Sequence, residues 1–169
     1  MLNCAAMKKF LAPVFALIVL ASVAAVWLAP SGLEPMPAFN IQTLDGRTLS
    51  QEQLLGKPVF MTFWATSCVT CVAEIPYLVD LHQRYRERGL EVVGIAMDYD
   101  PIEQIRAMRQ ERQLPYTIAH DVDGQVANAF GKVRLTPTNL LIDPKGRIVF
   151  KNIGEIDFKR IEQQIVEML

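Results

Sequence analysis

Residues 64–76 read WATSCVTCVAEIP: two cysteines three apart, with an apolar run before them and a glutamate after them. Working backward, PVFMTFW (residues 58–64) is continuously apolar, as expected of a strand buried on both faces of a sheet. Working forward, Cys71, Ile75, Leu78 and His82 repeat at helical spacing, arginines crowd the polar end and Gly89 marks the stop. Pro76 falls inside this helix and should kink it, because it has no N–H to give to residue 72. The pair therefore sits where a buried strand runs into a helix start. There Cys68 meets unpaired backbone N–H groups and the positive helix end, which favour the thiolate. Cys71 lies one turn inside, placed to resolve a mixed disulfide. No Lys or Arg stands between Met61 and Arg84, so the helix end must supply the activation.

Two other uses of a thiol pair compete with redox exchange. A structural zinc site takes four ligands, and only His82 and His120 are on offer besides the cysteines, so no metal site is expected. Copper binding by the same two thiolates, as in a metallochaperone module, is the alternative reading. As a structural staple the pair closes too small a loop to contribute much.

The rest of the chain supplies the setting. Residues 10–29 (FLAPVFALIVLASVAAVWLA) carry no charge, and their length matches the roughly 20 apolar residues that cross a bilayer core. Lys8 and Lys9 precede them, which orients residues 1–9 to the cytoplasm and the remainder outward. A cleaved signal peptide would have an apolar region of about 7–15 residues, so an uncleaved membrane anchor is the expectation. Met7, in MKKF, resembles an alternative start to Met1, and Cys4 precedes the apolar run, where a lipoprotein cysteine would follow it. The chain has 17 Lys plus Arg against 18 Asp plus Glu, with no basic stripe, which sets nucleic-acid binding aside. Residues 30–37 read as a linker, and 38–169 as one domain.

Within that domain, FNIQTLDGRTL carries a hairpin signal at Asp45-Gly46. EVVGIAM is a second buried strand. Asp100, Pro101 and Glu103 read as N-cap, first helical residue and capping-box partner of the next helix. YTIAH, a short QVANAFG helix, two strands around DPKG and a last helix capped by Asp157 complete the order. The result is an α/β domain with a mixed sheet covered on both faces.

FWATSCVTCVAEIP, GKPVFMTFWA, VVGIAMD and LTPTNLLIDPKGRIV, in that order, resemble the TlpA/ResA-like thioredoxins. These are membrane-anchored thiol:disulfide oxidoreductases of the bacterial envelope, related to those of cytochrome c maturation. The resemblance implies a thioredoxin fold with an N-terminal β extension and a central helix–strand insertion. It implies Cys68–Cys71 as the redox-active disulfide, and no cofactor. Trp64 and Thr136 are implied as client-binding residues, Pro137 as a cis proline beside the pair, and Glu74 as an acidic partner of Cys71. Thr62 stands where cytoplasmic thioredoxins bury an aspartate, which leaves Glu74 that work. The implied clients are cysteine-containing exported proteins such as apocytochrome c or copper-site proteins. The implied electron source is a membrane donor of the DsbD/CcdA type, with the catalytic domain in the periplasm or otherwise outside the membrane. Ser67 in place of tryptophan, and the absence of proline within CVTC, depart from the superfamily pattern. A peroxidase of the same fold would need P-x-x-x-T-x-x-C, and this chain has Met61 and Ala65 at those places.

Overall fold

Strand β3 (Val59–Trp64) has all six residues buried, and it forms the middle of a five-stranded sheet. The computed structural model describes residues 18–20 and 33–169, and the domain runs from Glu34 to Leu169. In sheet order β3 stands between β4 (Glu91–Ala96) and β6 (Thr138–Ile142), with β5 (Thr117–His120) and β7 (Ile148–Ile153) at the edges. It runs parallel to β4 and antiparallel to β6; β5 extends the parallel half and β7 the antiparallel half. The period of two then divides β3 between two cores. Val59, Met61 and Phe63 pack with Met36, Phe39, Val126 and Phe130. Phe60 and Trp64 pack with Cys71, Leu78, Leu81, Ile161 and Ile165 on the other face.

The second core is roofed by α2 (Val69–Tyr85) and α5 (Phe158–Met168). Helix α2 continues past Pro76, and Asp157 caps α5 by accepting from the N–H groups of Lys159 and Arg160. Between β4 and β6 lie α3 (Ile102–Glu111), β5 and the short α4 (Gln125–Ala129), the expected helix–strand insertion. The buried carboxylate of Asp121 holds the start of α4 through the N–H groups of Val126 and Ala127. The N-terminal extension is the hairpin of β1 (Asn40–Gln42) and β2 (Thr48–Ser50), followed by α1 (Gln51–Leu54). It joins the sheet edge where the Leu44 N–H donates to the Ile118 carbonyl at 2.9 Å.

Two expectations are corrected here. The linker does not extend to residue 37. Glu34 and Met36 exchange backbone hydrogen bonds with Ile148 and Gly146, and Met36 is 1% exposed, so its apolar side chain belongs to the core. Nor does Asp100 cap α3. Pro101 is the cap residue, and the Asp100 carboxylate turns away to Thr66. Among the described residues no helix is long and apolar enough to cross a membrane. The expected anchor, residues 10–29, lies outside the described residues except for 18–20.

Candidate active site

At the end of β3 the chain bends through residues 65–67, closed by the Cys68 N–H donating to the Ala65 carbonyl at 3.1 Å. Cys68 is the N-cap of α2, with extended backbone (φ −86°, ψ 105°). Its sulfur is bonded to that of Cys71, with the two Cα atoms 5.2 Å apart. The Cys71 N–H, one of the donors a helix start leaves without a backbone partner, points at Cys68 Sγ from 3.2 Å. When the bond is reduced, Cys68 is the sulfur that a helix N-terminus and an aimed N–H stabilise as an anion. The two cysteines also differ in access. Cys68 is half-buried, while Cys71 is 4% exposed and packs in the core with Phe60, Trp64 and Ile75.

One turn beyond Cys71, α2 buries Glu74 to 5% exposure. Its carboxylate oxygens accept from Asn139 Nδ2 at 3.3 and 3.2 Å. Asn139 lies in β6 opposite Thr62, and both are buried. Burial pushes the Glu74 carboxyl up to about 7; the Asn139 hydrogen bond opposes that rise and the Glu155 charge adds to it. A carboxyl poised there can take or give a proton near neutral pH. Glu74 also lines a surface cavity of about 420 Å³ whose wall includes Tyr77 and Phe158, stacked at 4.6 Å.

Pairing of Phe63 with Thr138 brings the residues before β6 alongside the end of β3, at the end of the strands that carries the cysteines. The Thr136–Pro137 bond there is cis. Pro137 is buried, its carbonyl accepting from the Gly154 N–H, and Thr136 is half-buried. Trp64 packs in the core beside the pair. It is 4% exposed behind Cys71 and lies over Gly94, where a Cβ would come within 3.1 Å of the indole nitrogen. It therefore backs the pair from the core side.

Asn139 was not among the expected site residues, although a polar residue inside the apolar run TNLLI was a signal for a buried hydrogen-bonded pair. His82 and His120 stand apart from the pair, on α2 three turns past Cys71 and at the end of β5. Among the described residues no group of three or more His, Cys, Asp and Glu could hold a metal ion.

Comparison with known proteins agrees with this geometry. The AhpC/TSA family matches residues 33–151. The thiol-disulfide oxidoreductase ResA of Bacillus cereus is 34% identical over 126 residues, 75% of this chain and 72% of that protein. The solution structure of a protein designated a thioredoxin, from Neisseria meningitidis, superposes with a TM-score of 0.74 at 34% identity, covering 80% of this chain and 90% of the other. The crystal structure of a protein designated thiol:disulfide interchange protein DsbE, from Chlorobium tepidum, superposes with a TM-score of 0.69 at 27% identity, over 80% and 96%. A half-exposed sulfur at a helix start, a shielded partner one turn in and these relatives lead to one conclusion: the chain belongs to the AhpC/TSA family and is a thioredoxin-fold thiol-disulfide oxidoreductase of the ResA type.

Proposed function

We propose that the protein reduces disulfides of exported proteins outside the cytoplasmic membrane, with apocytochrome c or copper-site proteins as clients. Residues 10–29 hold it at the membrane, and a membrane donor of the DsbD/CcdA type recharges it. The observation that carries this reading is the buried Glu74 carboxyl, one helical turn past Cys71. A reductant of this kind works in two steps. The Cys68 thiolate attacks one sulfur of a client disulfide, forming a mixed disulfide and releasing the other client sulfur as a thiolate. Cys71 then gives its proton to the Glu74 carboxylate and attacks Cys68 Sγ. The client leaves with both sulfurs reduced, and the Cys68–Cys71 bond remains. Without an acceptor the second step stalls, because Cys71 is shielded from water. Pro137 and Thr136 bound the place where the client chain would lie.

Acid quenching of cells followed by thiol alkylation tests the direction. The pair is expected to be mainly reduced while the membrane donor is present and to become oxidised when the donor is deleted. A pair oxidised in both strains would overturn the reductant role. The anchor has its own test: the protein should stay with membranes through carbonate extraction and begin at Met1 or Met7. A mature N-terminus near Val26 or Pro30 would contradict it.

A further inference from the structure

The turn 97–100, between β4 and α3, touches both loops that frame the disulfide. It is closed by the Asp100 N–H donating to the Met97 carbonyl, and tied to β3 by the Met97 N–H donating to the Trp64 carbonyl, each at 3.0 Å. Asp100 is 3% exposed, and both of its oxygens are given to one residue of the bend before Cys68. Oδ2 accepts the Thr66 N–H at 2.7 Å, and Oδ1 accepts the Thr66 hydroxyl at 2.5 Å. Gln104 Oε1, from the first turn of α3, is 3.1 Å from the same hydroxyl. From the preceding residue of the turn, the Tyr99 hydroxyl stands 3.5 Å from Thr136 Oγ1, on the loop before Pro137.

An aspartate followed by proline at a helix start ordinarily caps that helix. Here the carboxylate leaves α3 without a side-chain cap and is buried against a loop 34 residues earlier in the chain. Burying a carboxylate is costly unless its oxygens are filled, so the two bonds to Thr66 hold each other in place. They fix both the backbone and the side chain of the residue two before the attacking sulfur. Within the bend itself the backbone is closed by the Cys68 N–H donating to the Ala65 carbonyl. We infer that Asp100, acting through Thr66, is a positioning residue for Cys68: it holds the bend 65–67 in register with the Thr136 loop, so that a client chain meets the sulfur and the Thr136 backbone together. The turn 97–100 is the brace between the two loops. This rests on the exchange chemistry of the pair and not on its direction.

A protein client needs that register, whereas a small disulfide needs only the sulfur. The test compares kcat/KM for insulin with kcat/KM for hydroxyethyl disulfide, in full-length protein, for Asp100→Ala, Asp100→Asn, Thr66→Ala and Thr66→Ser. Asp100→Ala and Thr66→Ala are each expected to lose about tenfold towards insulin and only about twofold towards the small disulfide. The double variant is expected to lose no more than Asp100→Ala, which already removes both bonds, whereas Thr66→Ala removes the hydroxyl bond and leaves the N–H bond. Asp100→Asn is expected to restore insulin reduction to within about threefold of wild type: its Oδ1 can accept the Thr66 N–H, and its Nδ2 can donate to the Thr66 hydroxyl. Thr66→Ser should restore it likewise. Should Asp100→Ala fail to fold, the Thr66→Ala and Thr66→Ser pair decides alone. Equal losses towards both substrates, no loss towards either, or an Asn variant as poor as the Ala variant would each overturn the positioning role.

Discussion

Replacing Cys68 with Ser is expected to abolish disulfide exchange, a loss of at least about 10³-fold, because no second sulfur can take over the attack. Cys68 occupies the helix N-cap with the Cys71 N–H aimed at it, while Cys71 is 4% exposed and cannot meet a client first. Cys71→Ser should lose steady-state turnover to a similar degree, but for a different reason. Its Cys68 can still attack, and the mixed disulfide then has nothing to resolve it. Mass spectrometry after one turnover with insulin should show a covalent adduct on the Cys71→Ser protein and none on the Cys68→Ser protein. Equal adducts on both would mean that the two thiols act alike, as they would in a copper clip, and would favour the binding-module alternative.

Glu74→Gln is expected to slow exchange about 10- to 100-fold at neutral pH. The glutamine keeps the size and the contact to Asn139 but can no longer accept a proton from Cys71. Helix-end activation of Cys68 survives, so the loss stays well short of that of Cys68→Ser. Stability should move the other way. The folded carboxyl titrates near 7 against 4.5 as a free group, so between those values the folded chain holds a proton that the unfolded chain has released. Stability of the wild type therefore falls as pH rises through that window. The advantage of the glutamine variant over the wild type should accordingly grow by about 1–3 kcal/mol between about pH 4.5 and about pH 8. Urea unfolding of the oxidised proteins at the two pH values, beside insulin-reduction rates, checks both effects. Parallel pH profiles with equal rates would make Glu74 a spectator.

The readable parts of the sequence were those governed by local pattern. PVFMTFW could only be a strand buried on both faces, and its place at the sheet centre follows. CVTC at the strand–helix junction fixed which cysteine would lie at the helix start. The parts that escaped depend on partners distant along the chain. Asn139 holds Glu74 across 65 residues, and only strand register brings the two together. Asp100 had a sound local reading as a cap, but Thr66 outbid its own helix for the carboxylate. Trp64 was legible as a neighbour of the pair. Counting alternate residues from Phe60 puts it on the α2 face, under Cys71. Met36 lay in a proline-rich stretch whose composition outweighed one apolar side chain, and burial decided otherwise.

The proposed reductant role is tested most directly by the reduction potential of the Cys68–Cys71 couple. Strong oxidants of this fold owe their potential to a stabilised thiolate in the reduced state. Here the helix start and the Cys71 N–H stabilise the Cys68 thiolate with no Lys or Arg between Met61 and Arg84 to add to them, and Glu74 places a carboxyl one turn from Cys71 that opposes a second negative charge, so the thiolate is stabilised less than in such an oxidant. Equilibration with glutathione and dithiothreitol buffers should give a midpoint below about −200 mV, on the reducing side of protein disulfide isomerase. A midpoint near about −120 mV, the value of a dedicated oxidant, would contradict it.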